Sequence, residues 1–495
     1  MRTLIPSLIR GGLGRGKQFK IFYSLLTVAM MFLWLTACQP LIIDTRVQEN
    51  HTATETPAEA GADGLGDPLY PQLGNGGYDV QHYTIELTVD IESSAIRGTT
   101  TIAALPIKAL PRFNLDLFGL TVDSVKVNAE PATIERTDHE LIITPAAELI
   151  ADQPFTVTVT YDGVPEPVSD PGVPFEAVGW LDYDEEGIYV LSEPSGAMSW
   201  FPVNNHPLDK ATYTFRITAP KPYVVAANGL LIDEIDQGDS RTFVWEAGDP
   251  MASYLATINI AEFDVIREEG PDGLPIINFF PPERSRWLQR DFAPTAEMIS
   301  YFSELVGPFP FESYGAIVMN VSFGGALETQ TRPVFGRAAT MEMIVAHELA
   351  HQWFGNSISL AHWQDIWLNE GFATYFHHLW TEKSKGKTVF DATMRGIYTM
   401  MKLRQMPPPG NPDLADLFSP SVYERGAWTL HALRLEVGDD TFFQILRTYY
   451  DRFQNSNATT DDFIAVAEEV SGQSLDDLFQ AWLYDAVVPD VPGME

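Results

Sequence analysis

The chain of 495 residues carries 67 acidic against 31 basic side chains, a formal net charge of −36, with 45% hydrophobic and 12% aromatic residues. That length exceeds one ordinary domain, and the apolar share is enough for real cores, which excludes global disorder. A body this acidic repels phosphate backbones, so nucleic acid is excluded as a partner.

The chain opens basic: Arg2, Arg10, Arg15, Lys17 and Lys20 fall in the first 20 residues, where there is no acid. The uncharged run "IFYSLLTVAMMFLWLTA" follows, Ile21 to Ala37, and the pair reads as the n-region and h-region of a secretory signal. Cys38, the only cysteine in the chain, comes next. A lone cysteine is commonly a small buried hydrophobe. Here it stands directly behind the apolar run, and "LTAC" resembles a bacterial lipobox, in which the cysteine is lipidated and becomes the mature N-terminus. The alternative is an uncleaved anchor of similar length. Either places the body outside the cytoplasm as a membrane-anchored protein. Residues 1–37 are therefore expected to be a lipoprotein signal peptide. Residues 38–68, rich in Ala, Thr, Gly, Pro and acids, are expected to form a flexible tether.

From about residue 69 to 265 the pattern has period two. "YTIELTVDI" sets Tyr83, Ile85, Leu87, Val89 and Ile91 on one face and Thr84, Glu86, Thr88 and Asp90 on the other. "FTVTVTYDG" and "ATYTFRIT" repeat the alternation between Gly, Pro, Asp and Asn punctuation, as in an antiparallel β domain with one wet face. Near residue 290 the period changes: Met298, Phe302, Leu305 and Val306 make a helical stripe that stops at Gly307–Pro308. Strand-like "YGAIVMNV" follows, and helices dominate from Thr340. Thr459 with Asp462, and Ser474 with Asp477, stand at capping-box spacing. The chain thus reads as multidomain, an N-terminal antiparallel β domain followed by an α+β catalytic domain over residues 266–495.

The stretch "IVAHELAHQWFGN", Ile344 to Asn356, places two imidazoles and a carboxylate in an apolar helix. Residues four apart lie on one helical face, so His347 and His351 can grip one ion while Glu348 points beside it. H-E-x-x-H arises by chance in long sequences, but flanking Ile344, Val345, Leu349, Trp353 and Phe354 make a surface helix improbable. A third ligand is available in "WLNEGFATYF", where Glu370 stands nineteen residues after His351.

"HELAHQWFGN", "WLNEGFATY" and "VYERGAW" resemble the aminopeptidase N-like family of zinc peptidases, of the gluzincin type. The likeness runs from near Asp67 to near Pro489. It implies a thermolysin-like catalytic domain, one Zn²⁺ per chain on His347, His351 and Glu370, Glu348 as general base and then acid, and Tyr423 as donor to the oxyanion. Peptides would be the substrates. The family binds the substrate's free amine with a "G-A-M-E-N" strand, matched here by "GGALETQ": Gly325, Ala326 and Glu328 agree, and Thr329 stands where the family has Asn. A second amine-binding acid is Glu193 in "LSEPSGAMSWFPVNNHP", a stretch that lacks the family's glutamine and has Asn205–His206 in place of an acidic pair.

Asp365 could orient a ligand histidine from behind, or serve as a helix N-terminal acid. His362, His377, His378 and His431 are expected to be structural or solvated. Larger family members continue into further C-terminal domains, whereas this sequence stops soon after "AWLYDAVVPD", from which a more open cleft and tolerance of longer peptides are expected. Two other readings stand beside the aminopeptidase. One is a zinc endopeptidase with an open cleft. The other is a surface binding protein on a peptidase fold, which would have no need of Glu348 and Tyr423 together.

Overall fold

The computed structural model describes residues 60–494. The expected signal segment, Cys38 and the expected tether up to residue 59 lie outside the described residues. The last part of the expected tether is packed. The Gly61 and Ala62 N–H groups donate to Arg112 and Gly76 carbonyls at 3.0 and 3.2 Å. Asp67, 1% exposed, accepts the N–H groups of Leu69, Tyr70 and Trp363 at 2.8–2.9 Å and faces His206 Nε2 at 3.3 Å. Composition alone misread this end because its order comes from partners far along the chain.

The β region is built on an eight-stranded sheet whose centre is Tyr78–Asp90, paired antiparallel to Ala95–Pro106 and parallel to Ala211–Pro220. The other neighbours in this sheet are antiparallel, so the sheet is mixed through one pair. Alternation decides its faces: Tyr83, Ile85, Leu87 and Val89 are buried, Glu86, Thr88 and Asp90 exposed. A three-stranded sheet (Phe113–Asp116, Glu140–Thr144, Thr133–Thr137) and a four-stranded sheet carrying Gly179–Asp182 and Ile188–Leu191 complete the region. Glu193 follows the last of these strands.

The architecture changes between Ala261, where the last strand of the four-stranded sheet ends, and Asp264, where a five-stranded sheet begins. Helices α1 (Ser285–Asp291) and α2 (Thr295–Leu305) follow, and Met298, Phe302 and Val306 are buried as their spacing requires. At the edge of the five-stranded sheet, Ala326–Leu327 pairs antiparallel with Val334–Phe335. The helical lobe contains α3 (Glu342–Ala350), α4 (Trp367–Lys385), α5 (Lys387–Arg404), α6 (Pro420–Val437), α7 (Asp439–Phe453), α8 (Thr460–Ser471) and the single turn α9 (Asp476–Phe479). No helix among the described residues is long and apolar enough to cross a membrane.

The first capping box forms: Thr459 Oγ1 accepts the Asp462 N–H, and Asp462 accepts the Thr459 N–H. The second does not. Leu475 stands at the N-cap of α9, and Ser474 Oγ lies 3.3 Å from Asp476 Oδ2 instead. With Leu475 at the N-cap, Ser474 lies one residue too early for the reciprocal pair with Asp477.

Candidate metal centre and substrate cleft

Helix α3 is shorter than the apolar spacing implies and ends at His351. The chain then turns at Gly355, whose φ of +123° suits glycine, and a Cβ there would lie 3.2 Å from His351 Nδ1. This turn brings the Phe354 carbonyl to His351 Nδ1 at 3.2 Å, so Nδ1–H donates backward and Nε2 is free to face the site. Glu342 at the start of α3 accepts Trp380 Nε1–H from α4 at 2.7 Å, tying the two helices together.

Across that packing, His347 Nε2 lies 3.0 Å from His351 Nε2 and 3.1 Å from Glu370 Oε2, and His351 Nε2 lies 3.4 Å from the same oxygen. Donors on a tetrahedral zinc, at roughly 2.0–2.1 Å each, stand about 3.4 Å apart, so the triangle fits such an ion. With protons as the only cations, burial opposes the charge on Glu370, but His351 and hydrogen bonds from both imidazoles outweigh it and hold Glu370 at about 2. Burial likewise opposes charge on His351, and the carboxylates of Glu328 and Glu370 push it up to about 10. Burial dominates at His347 and lowers it. A dication satisfies all three donors at once, which protons do unevenly.

Tyr423 arrives on α6. Gly371 of α4 and Gly426 of α6 meet backbone to backbone: a Cβ on Gly371 would lie 2.9 Å from Gly426 atoms. That approach sets the Tyr423 ring 6.0 Å from the His347 ring, 20° from parallel. Arg425 fixes the helix by donating to the carbonyls of Met406, Ala481, Trp482 and Asp485 at 2.6–3.0 Å, which is how the "AWLYD" segment supports the site.

The triad opens into a cleft of about 440 Å³ lined by Glu193, Gly325, Ala326, Glu328, Glu348 and Tyr423, with an apolar mouth that includes Phe175 and Phe323. Those two rings lie 4.6 Å apart. Glu193, Glu328 and Glu370 each bring a carboxylate oxygen within 4.8 Å of the others. Glu193 and Glu328 are 6% and 2% exposed, and Oε1 of each has no hydrogen-bond partner. Burial, reinforced by Glu328 and Glu370, pushes Glu193 well above the carboxylate range, and burial raises Glu328 despite His351. Glu348, 5% exposed, is pushed well up by burial as well. Buried carboxylates crowded together with unpaired oxygens favour a cationic guest.

Asp365 is not behind a ligand. Its Oδ1 accepts Thr460 Oγ1–H at 2.6 Å and Thr460 N–H at 3.2 Å, holding the start of α8. The groups behind the ligand imidazoles are the Phe354 carbonyl and His377, whose Nδ1 is 3.4 Å from His347 Nδ1. His377 is expected from sequence to be structural or solvated, although its place two turns after Glu370 on α4 is a signal that marks it. Gln352 and Asn356 were missed too: their side-chain amides donate to the Glu328 carbonyl at 3.2 and 2.7 Å and hold that strand end in place. Polar side chains persisting after the H-E-x-x-H were the available signal. Asn205 and His206 are structural, Asn205 Nδ2 donating to the Ser195 carbonyl at 2.8 Å just beyond Glu193.

Residues 296–482 match the Peptidase family M1 domain, and residues 79–255 match the Peptidase M1 N-terminal domain. A solved M1 zinc metallopeptidase from Deinococcus radiodurans superposes with a TM-score of 0.79 at 30% identity, covering 87% of this chain and 98% of that one. A mutant of it, bound to a Tyr-Ser-Ala substrate, superposes with the same score. Among curated sequences, human glutamyl aminopeptidase is 26% identical over 358 residues, 62% of this chain and 36% of that protein. Aminopeptidase M1-A of Oryza sativa is 24% identical over 81% of this chain and 50% of its own length. The chain thus spans between about a third and half the length of these two relatives.

Proposed function

The chain belongs to peptidase family M1, and from that premise we propose that it is a zinc-dependent aminopeptidase that removes N-terminal residues from peptides. The observation that carries this reading is the pair of orphaned, buried carboxylate oxygens on Glu193 and Glu328, beside the triad. A substrate's α-ammonium supplies the charge-assisted hydrogen bonds both lack. An interior peptide amide, with one N–H and no charge, does not.

His347, His351 and Glu370 would hold one zinc ion, which when bound supplies a Lewis acid at the scissile carbonyl. Glu348 takes a proton from the attacking water as its oxygen bonds to the carbonyl carbon, and returns it to the amine nitrogen as the C–N bond breaks. The Tyr423 hydroxyl donates to the developing oxyanion. Ala326–Leu327, at the sheet edge, offers backbone groups to an extended peptide.

The test uses matched peptides with free and acetylated N-termini, with products read by mass and Glu348→Ala run beside the wild type. Stepwise shortening of the free peptide alone is expected. Internal cuts in both peptides would replace this reading with the endopeptidase one, and no turnover of either would favour a binding protein.

We further propose that the protein lies outside the cytoplasm, anchored to the membrane through lipid on Cys38. The basic start, apolar run and "LTAC" support it. Metabolic labelling with a fatty acid is expected to mark the wild type and not Cys38→Ala. Equal labelling of both would sink the anchor.

A further inference from the structure

A second gathering of imidazole and carboxylates lies in the β region. The hairpin of Thr133–Thr137 and Glu140–Thr144 turns at Asp138, with φ of 47°, and sets His139 at its tip. Phe113–Asp116 pairs with the second arm of the hairpin so that Asp116 stands opposite Glu140. His139 Nε2 then lies 3.6 Å from Asp116 Oδ1, 4.0 Å from Glu140 Oε1 and 3.0 Å from the Gln72 carbonyl oxygen.

Three oxygens thus surround one imidazole nitrogen that can donate a single proton. The nearest, the Gln72 carbonyl, takes it, and the two carboxylates are left outside hydrogen-bond reach. Asp116 is fully buried. Its Oδ2 accepts from Asn75 Nδ2 at 3.2 Å and the Asn205 N–H at 2.9 Å, while Oδ1, the atom aimed at His139, has no partner. Glu140 Oε2 is also without one. Leaving buried carboxylate oxygens unpaired is costly, and native proteins close such sites with a donor or an ion.

We propose that Asp116, His139 and Glu140, with the Gln72 carbonyl, bind one divalent cation of the zinc class at a structural site separate from the peptidase centre. Cis donors on such an ion, at roughly 2.0–2.2 Å each, are about 3–3.6 Å apart; the Gln72 carbonyl and Asp116 Oδ1 stand at 3.0 and 3.6 Å from His139 Nε2, and Glu140 Oε1, at 4.0 Å, would move inward to complete the set. The imidazole donor selects against calcium and magnesium, which take oxygen ligands. His139 and Glu140 have 17% and 13% of their side-chain surface exposed, so an ion can reach the site from solvent.

The ion would also brace the cleft. Asp116 Oδ2 holds the Asn205 backbone, and the Asn205 amide holds the Ser195 carbonyl, two residues beyond Glu193. The site therefore supports the segment that carries one amine-binding acid.

The experiment is a count of zinc in the full chain after exhaustive dialysis, by mass spectrometry of the metal. Wild type is expected to retain two equivalents. His139→Ala and Glu140→Gln are each expected to retain one. His347→Ala should also retain one, and its cobalt-substituted form should show d–d absorption that disappears in the His347→Ala/His139→Ala double variant. A wild type with one equivalent would overturn the proposal, as would an unchanged count in both His139→Ala and Glu140→Gln, or a second site filled by calcium but not by zinc. Glu140→Gln alters a half-buried position without changing its size, so it keeps the test decisive if His139→Ala folds poorly.

Discussion

The protein gathers histidine and carboxylate twice, by different means. In the helical lobe, His347 and His351 come from successive turns of α3 and Glu370 from α4, so two ligands share one helical face and the third sits on a helix packed against it. In the β region, Asp116, His139 and Glu140 come from a strand end and a hairpin tip, aligned by cross-strand register. The first cluster faces a cleft with further unpaired carboxylates and an apolar mouth. The second has Asp116 fully buried, with His139 and Glu140 partly open to solvent. What separates a reactive centre from a structural one is less the ligand set than the open space beside it and the acid placed to use that space.

The largest effect separating the two centres should come from that acid. Removing the general base by Glu348→Ala is expected to lower kcat by about 10²–10⁴-fold with zinc content unchanged. Steady-state kinetics with metal analysis checks it, and a loss of zinc in step with activity would mean that Glu348 holds the ion and does not serve as a base. Next come the amine anchors. Glu328→Gln and Glu193→Gln keep shape and remove charge, and each is expected to reduce kcat/KM on free-amine peptides by about 10²-fold, the scale of losing one partner of a buried charged pair. The readout that matters is discrimination. If the ratio of rates on free and acetylated peptides stays constant in both variants, the orphaned oxygens do not bind the ammonium.

The α3 cluster was legible in the sequence because its geometry is local: a spacing of four on a helix fixes which side chains share a face, whatever the rest of the chain does. The strands of the large sheet were legible for the same reason, since alternation at Tyr83, Ile85, Leu87 and Val89 needs no partner to be read. The β cluster was not. His139 and Glu140 are neighbours in sequence, but Asp116 and the Gln72 carbonyl reach them only through tertiary register. Asp67 was misread likewise, its tether-like surroundings being ordered by Trp363 from 296 residues away. Gln352 and Asn356 belong to a stretch singled out from the start, yet their duty to the Glu328 carbonyl depends on where an edge strand lies.

His377 and Asp365 sharpen the contrast within the catalytic centre. The two Nδ1 atoms of His347 and His377 are 3.4 Å apart, so one must carry a proton and the other accept it. Burial, with His378 and His347 beside it, holds His377 well below its ordinary pKa and so neutral, which leaves it able to accept from His347 while His347 Nε2 faces the ion. His377→Ala is then expected to weaken zinc affinity by about 10–100-fold, the usual scale for losing a ligand's partner. Competition with a chelator of known affinity measures this without reference to turnover. An affinity equal to wild type would return His377 to a packing role.

Asp365→Ala should do the reverse, and its effect is the smallest. The carboxylate holds Thr460 through both the hydroxyl and the backbone N–H at the first turn of α8, so its removal frees a helix N-terminus and touches no ligand. The expected cost is about 1 kcal/mol of stability, as for a lost N-terminal cap, with zinc affinity as in the wild type. Chemical denaturation and the same chelator competition give both numbers on one sample. The pair of variants makes a crossed comparison: His377→Ala moves affinity more than stability, Asp365→Ala stability more than affinity. If Asp365→Ala released zinc as readily as His377→Ala, α8 would be steering the ligand helices through Trp367, whose Nε1–H donates to Thr460 Oγ1 at 2.8 Å from the first turn of α4, three residues before Glu370. The zinc triangle would then depend on the packing of the whole lobe, and the separation drawn between an ion's immediate partners and the surrounding scaffold would have to be moved outward to include that tryptophan.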